Sequence, residues 1–219
     1  MLTRQFTIIA TALVATAALT GCSKDNDLNR PDTSAFSNLM TYNGTAGESS
    51  TFTYYATNSD VPEIYVSPKV EGLTAADMGK RVALRYHVDD ATSISVTSWR
   101  LVPTATVSIV DTEEAVANNT PVNVRSIDRQ GPYLNLYAML PGEGTHTYTL
   151  LCDRETAYTG NPHLYLSITE SDEPSGIRLS SLSCYDMSQI WNSGMTQSVT
   201  VHINNSASAG AQKVFTFKK

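Results

Sequence analysis

Arg81-Val82-Ala83-Leu84-Arg85-Tyr86-His87-Val88 decides the fold. Val82, Leu84, Tyr86 and Val88 share one face of an extended chain, while Arg81, Arg85 and His87 share the other. This period of two marks an antiparallel strand with one buried and one wet face. The alternation recurs at Phe52 and Tyr54, Ile64 and Val66, Val107 and Ile109, Leu134, Leu136 and Leu140, and Tyr148 and Leu150. It continues at Leu164, Leu166 and Ile168, at Val199, Val201 and Ile203, and at Phe215 and Phe217. Turn-forming clusters separate these runs, among them Asn58-Ser59-Asp60, Asn118-Asn119-Thr120-Pro121, Pro141-Gly142-Glu143-Gly144, Thr159-Gly160-Asn161-Pro162, Glu173-Pro174-Ser175-Gly176 and Ala207-Ser208-Ala209-Gly210. The chain is read as all-β with short connections.

Two short helical segments set the layout. Thr74-Ala75-Ala76-Asp77-Met78-Gly79 has the form of an N-cap, one turn and a closing glycine, between the Ile64/Val66 run and the Arg81–Val88 strand. A five-stranded OB-type barrel carries such a turn between its third and fourth strands. Asp186 to Trp191 is a second turn, with Asp186 and Gln189 spaced as a capping pair and Gly194 closing it. The expected organisation is an OB-like partly open barrel over residues 39–103 and a β-sandwich over 104–219.

Composition narrows the functional classes. Among 219 residues, 15 Lys and Arg stand against 21 Asp and Glu, a net charge of −6. Such a chain is not built to track a phosphate backbone, so no nucleic-acid partner is expected. Serine and threonine together outnumber all charged residues, which suits strands and excludes a coiled coil.

The N-terminus points to the envelope. Met1 to Gln5 carries Arg4, and Phe6 to Thr20 is an apolar, alanine-rich run too short for a stable span. Leu19-Thr20-Gly21-Cys22 resembles the lipobox of bacterial lipoproteins, which implies cleavage before Cys22 and acylation of that residue. Residues 1–21 are then a signal peptide and residues 22–38 a flexible tether. Two or more acyl chains hold a protein to a membrane lastingly, whereas one does so only marginally. The Lys24-Asp25-Asn26-Asp27 cluster is similar to surface-export tags of Bacteroidetes lipoproteins; a solvated linker facing the periplasm is the alternative. The expected place is the outer membrane, on the cell surface or the periplasmic face.

Several blocks also resemble NigD-like lipoproteins of Bacteroidetes. They are Gly79 to Tyr86 followed by Asp89-Asp90, then Pro121 to Ile127, Gly131 to Leu136 and the His146 strand. The resemblance runs across most of the chain after the signal and implies an OB-like first domain, a β-sandwich second domain and, as a suggestion only, an immunity-type role. The sequence departs from the family pattern where Ala56-Thr57-Asn58-Ser59-Asp60 replaces an Asp-Asp-Gly type turn.

Catalytic signatures are missing from the sequence. His87, His146, His163 and His202 sit singly on different strands, in no metal-binding spacing. No nucleophile elbow, phosphate loop or dinucleotide fingerprint occurs. Acidic clusters at Asp111-Thr112-Glu113-Glu114 and Ser171-Asp172-Glu173 read as solvated loops, without the ligand alternation of a calcium site. No cofactor and no metal are expected, and the chain is not read as an enzyme. Cys152 and Cys184 remain after lipidation and invite a disulfide, worth about 3 to 4 kcal/mol by loop entropy; two separately buried thiols are the alternative.

The candidate binding surface is aromatic. Tyr133, Tyr137 and Tyr165 fall opposite the apolar faces of their strands, and rings beside polar groups suit glycans or protein partners; packing under loops or in the seam between the two domains is the competing reading. The expected function is a membrane-anchored, non-catalytic lipoprotein that binds glycan or protein through a β-domain surface. The alternatives are an immunity-type or inhibitor protein that neutralises a toxin or protease, and a cryptic glycan-processing enzyme, which needs two facing carboxylates.

Overall fold

The computed structural model describes residues 35–141, 146–170, 178–205 and 212–219. Cys22, the signal peptide, residues 22–34 of the tether, the turns at 142–144, 173–176 and 207–210 and the acidic cluster at 171–173 lie outside the described residues.

Five strands make the first sheet: β1 (Phe36–Ala46), β2 (Ser49–Tyr55), β3 (Pro62–Pro68), β4 (Arg81–Val88) and β5 (Ile94–Leu101), in the order β3-β2-β1-β4-β5. β1 takes in Phe36, Ser37 and Asn38, which pair with Tyr86, Arg85 and Leu84, so the strand starts inside the stretch expected to be tether. A parallel bridge between Val66 and Ser93, with the Val66 amide donating to Thr92 O at 2.8 Å, brings the outer strands together and curls the sheet into a partly open barrel. Met40, Tyr42, Phe52, Val82, Leu84, Tyr86 and Ile94 fill it. The deciding strand therefore buries Val82, Leu84 and Tyr86 as its pattern marks, whereas Val88, at the strand end, is exposed.

A 3-10 turn, Ala75–Asp77, links β3 to β4. The Thr74 amide and hydroxyl both donate to Asp77 Oδ2, at 3.1 and 2.8 Å, and Lys80 Nζ donates to Oδ1 at 2.9 Å. These bonds, led by that from Lys80, hold the Asp77 carboxyl below the usual carboxylate range. Gly79, at φ +80, ends the turn in a backbone conformation that favours glycine.

β3 runs in the opposite phase to its apolar pattern. Ile64 is 50% exposed and Val66 37%, whereas Ser67 is buried and Tyr65 packs against the core. Register explains it: Tyr65 lies opposite Phe52 and Ser67 opposite Ser50, and residues directly opposite share a face. The inward side of β2 thus dictates that of β3.

The second sheet has eight strands: β6 (Thr104–Val110), β7 (Asn123–Gln130), β8 (Tyr133–Pro141), β9 (His146–Asp153), β10 (His163–Glu170), β11 (Arg178–Asp186), β12 (Ser198–Asn204) and β13 (Gln212–Lys218). Their order is β13-β12-β10-β9-β6-β11-β8-β7. A parallel bridge from Val122 to Asn205 draws distant strands together, and the sheet closes almost into a barrel. The two layers of the expected sandwich are thus halves of one continuous sheet. Its interior holds Leu134, Leu136, Leu150, Leu164, Leu166, Val199 and Val201, each fully buried side chain contributing about 1.5–3 kcal/mol. Helix α2 (Ser188–Trp191) adds Ile190 and Trp191 to that core. The Ser188 amide donates to Asp186 Oδ1 at 2.8 Å, which fixes the start of α2.

Helix α1 (Thr112–Ala117) occupies the acidic stretch expected to be a loop. Glu113 and Glu114 lie in its first turn, where negative charge favours the helix. Its Ala115 packs with Leu151 and Tyr165 on the outer face of the second sheet. Among the described residues, no helix is long and apolar enough to cross a membrane.

Candidate functional site

The two sheets belong to one compact unit, Thr33–Lys219, and meet along a seam held by two fully buried arginines. Arg129, near the end of β7, donates through Nη1 to Asp60 Oδ1 at 2.7 Å and to Gly131 O at 2.8 Å. Its guanidinium lies 4.4 Å from the ring centre of Trp191, whose Nε1 donates to the same Asp60 oxygen at 2.8 Å. Asn58, at φ +60, lets the β2–β3 loop turn in, and its amide donates to Arg129 O at 2.7 Å. The departure from the family's turn pattern is therefore the segment that fastens the first sheet to the second. Gly131 lies in the same joint at φ +57, and a Cβ there would come within 2.7 Å of the Tyr55 ring.

Arg81, the first residue of β4, is the second buried cation. Nη2 donates to Gln130 Oε1 at 2.7 Å and Nη1 to Thr41 Oγ1 at 3.3 Å, and the guanidinium stacks 4.5 Å from the centre of the Tyr133 ring. Its Nε is buried without a hydrogen bond, and no carboxylate among the described residues pairs with it. The strand pattern places Arg81 on a wet face. The structure buries it because the second sheet covers that end of the barrel wall.

Beyond Arg81 the seam opens into a cleft of about 520 Å³. β1 supplies Ser37 and Leu39, β4 Ala83 and Arg85, and β5 Ser98 and Arg100; Gln130 and Leu182 form the opposite wall. Ser37 pairs with Arg85 and Leu39 with Ala83, while Arg85 pairs with Ser98 and Ala83 with Arg100, so the six first-sheet residues share one face. The floor is small and apolar, and the rim carries hydroxyls, an amide and guanidiniums. None of the described lining residues is an acid, a histidine or a cysteine.

A second aromatic group sits at the barrel end where β1 starts. Phe36, 54% exposed, stacks on Tyr86 at 5.9 Å, and Tyr65 lies 6.5 Å from Tyr86 and 6.2 Å from Tyr54. Asn38 Nδ2 donates to the Tyr86 hydroxyl at 2.7 Å. Burial, then the neighbouring Glu63 carboxylate that accepts its hydroxyl at 3.0 Å, pushes Tyr65 up to about 12.

The three tyrosines expected to form one surface are not together. Tyr133 is half-buried in the seam, between Arg81 and a Tyr55 ring 6.5 Å away. Tyr165 is buried under α1 and stacks on His202 at 4.6 Å. Only Tyr137 of the three is exposed. Tyr165 is on β10 and the other two on β8, four strand spacings apart, about 19 Å along the sheet. Tyr133 and Tyr165 do point outward as alternation marks them, but alternation does not reveal what covers an outer face.

Cys152 and Cys184 are both free and buried. They flank β6 from opposite sides, Cys152 opposite Ile109 and Cys184 opposite Thr104, two strand spacings across and five residues along. That separation far exceeds the roughly 7 Å between Cα atoms that a disulfide spans. Burial, with a smaller push from Asp153, raises the Cys152 thiol to about 12. Burial also raises Cys184, to about 11, while the adjacent Arg81 pulls it downward. Neither is a reactive thiol. On the outer face of the second sheet the His163 and His202 rings lie 5.1 Å apart; burial, then His163, keeps His202 below the ordinary histidine value.

No family model matches the chain, and no curated protein matches it. Solved structures do. A protein of unknown function from Bacteroides vulgatus superposes with a TM-score of 0.65 at 15% identity, covering 84% of this chain and 90% of that one. A candidate lipoprotein from Bacteroides fragilis gives 0.59 at 18% identity, over 84% and 97%. A NigD-like immunity protein from Bacteroides caccae gives 0.56 at 17% identity, over 87% and 99%. The chain therefore has a fold that these Bacteroides proteins share, one of them a member of the NigD-like group that the sequence resembles.

Proposed function

We propose that this protein is a lipid-anchored, non-catalytic recognition protein of the bacterial envelope that holds a glycan in the cleft between its two sheets. The observation that carries the reading is the cleft lining: serines, amides and arginines around a small apolar floor, with no acid, histidine or cysteine among the described residues to move a proton or attack a bond. The facing carboxylates that a glycan-processing site needs are not among these lining residues. Acyl chains on Cys22 would place the cleft at the outer membrane, on either face, and the fold likeness to a candidate lipoprotein supports that placement. The test is a glycan array probed with the full-length protein beside its Ser98→Trp variant, which fills the cleft. Binding that disappears in the variant supports the reading, and binding that persists removes the cleft from it.

A second reading, neutralisation of a protein partner, is favoured by one observation. Val61, Ile64 and Val66 leave an exposed apolar strip along β3 and the residue before it, and the fold is shared with a NigD-like immunity protein. Pull-down with an Ile64→Asp variant tests it, since loss of a captured partner without loss of folding would support it over glycan binding.

A further inference from the structure

We infer that a pocket on the second sheet, between the end of α1 and β10, is a separate subsite for a neutral sugar, read by Asn119 through adjacent ring hydroxyls. It shares no lining residue with the cleft and does not depend on it. β10 and β12 pair directly only over His163–Tyr165 and Thr200–His202, and the segment from Asn118 to Val122 bridges them where that pairing stops. The Thr120 amide donates to Leu166 O at 2.8 Å on one side, and the Val122 amide to Asn204 O at 2.7 Å on the other. This segment, with Ala117 and with Ser167 and Ile168 of β10, borders a pocket of about 420 Å³, a size that suits a short saccharide.

Asn119 carries the inference. It lines the pocket, it is 7% exposed, and neither its Oδ1 nor its Nδ2 has a hydrogen-bond partner. Arg81, Arg129 and Asn135 also leave one buried polar atom unbonded, but each donates through another. In Asn119 the whole amide is idle, although its backbone is held: the amide nitrogen donates to Val116 O, and the carbonyl accepts from Asn204 Nδ2, both at 3.3 Å. An idle buried amide costs stability, and with no bond to break it turns toward the pocket without losing one. A carboxamide presents a donor and an acceptor side by side, which match two adjacent hydroxyls, one accepting and one donating. The rest of the lining fits the same ligand. Asn118, Thr120 and Ser167 are polar and uncharged, and Ala117, Pro121 and Ile168 take the apolar C–H face of a sugar ring. No described lining residue is charged or aromatic, so neither an ionised ligand nor a nucleobase is matched. An extended peptide would need a free strand edge, and Thr120 already bonds Leu166 O and, through its hydroxyl, the Ile168 amide at 2.8 Å.

The test is calorimetric titration of the full-length protein carrying Ser98→Trp, which fills the cleft, with mannotriose, galactotriose and cellotriose in turn. At least one sugar is expected to bind. Adding Asn119→Leu should weaken that binding about tenfold or more, while the unfolding midpoint stays level or rises, because the replaced amide makes no bond. Ala117→Trp, at an exposed position on the rim, should block the pocket to the same extent and decides alone if Asn119→Leu unfolds the chain. Per-O-methylation of the bound sugar, which removes its hydroxyl donors, should abolish binding. Binding retained in either folded variant overturns the subsite, and so does binding of none of the three sugars. Neither outcome bears on the cleft, which Ser98→Trp has taken out of the measurement. Binding of N-acetylglutamine amide in place of the sugars assigns the pocket to a protein side chain and overturns the sugar reading as well.

Discussion

The two buried arginines of the seam sit in closely similar shells and differ in one component. Arg129 and Arg81 are each fully buried, each stacks about 4.5 Å over an aromatic ring, and each donates across the joint between the sheets. Arg129 meets the Asp60 carboxylate, which is itself tied to Trp191. Arg81 meets only the neutral Gln130 and Thr41 oxygens and the Cys184 thiol, and both arginines keep a buried Nε without a hydrogen bond. One corner is therefore a compensated joint that locks the sheets, and the other carries a charge not fully neutralised beside an open cleft. Two arginines that look alike in the sequence are told apart in the fold by their counter-charge.

The largest effect should come from breaking the compensated corner. Arg129→Ala empties the space over the Trp191 ring and removes a buried cation's bonds to Gly131 O and to the partly exposed Asp60 carboxylate, at a cost of about 2–4 kcal/mol in urea unfolding. Arg81→Met should cost much less, under about 2 kcal/mol, because removing an uncompensated buried charge offsets the stranded Gln130 oxygen. Equal losses in the two variants would erase the distinction drawn between the corners. Gly131→Ala tests the geometry beside Arg129: the backbone at φ +57 and the Tyr55 ring in its path should together lower stability by about 1–3 kcal/mol, read as a drop in the unfolding midpoint.

A half-buried histidine meets a similar problem by favouring its neutral form. His202 carries a buried Nε2 without a partner, and burial, then His163, holds its pKa below the unfolded value. The unfolded chain therefore takes up the proton first. The stability associated with this residue is full above about pH 6.5 and is lost as pH falls toward the lower folded value. His202→Gln should flatten that part of the stability profile, a smaller effect than any at the seam. Comparing unfolding midpoints at pH 7.5 and 5.5 in both proteins shows whether it does.

Periodicity made much of this legible. Val82, Leu84 and Tyr86 are inward as their spacing demands, and Thr74 to Gly79 mark the turn that an OB-type barrel places before its fourth strand. Alternation sorts faces within one strand and is silent about what lies across from each face. Arg81 and Tyr133 therefore read as wet and are covered, and Cys152 and Cys184 read as possible partners although β6 separates them. β3 fails differently: its apolar residues suggest one phase, and the register with Phe52 imposes the other. The cleft is invisible in the sequence because its residues come from β1, β4, β5, β7 and β11, and only Ala83, Leu84 and Arg85 lie in the alternating run that decides the fold.

The single carboxylate oxygen of Asp60 carries a consequence for how the polypeptide is made. It receives one bond from a residue 69 positions downstream and another from one 131 positions downstream. The loop between β2 and β3 cannot complete these contacts until nearly all of the chain has been synthesised. Such long-range closure slows folding, so the joint between the early strands and the second sheet stays open until the tryptophan arrives.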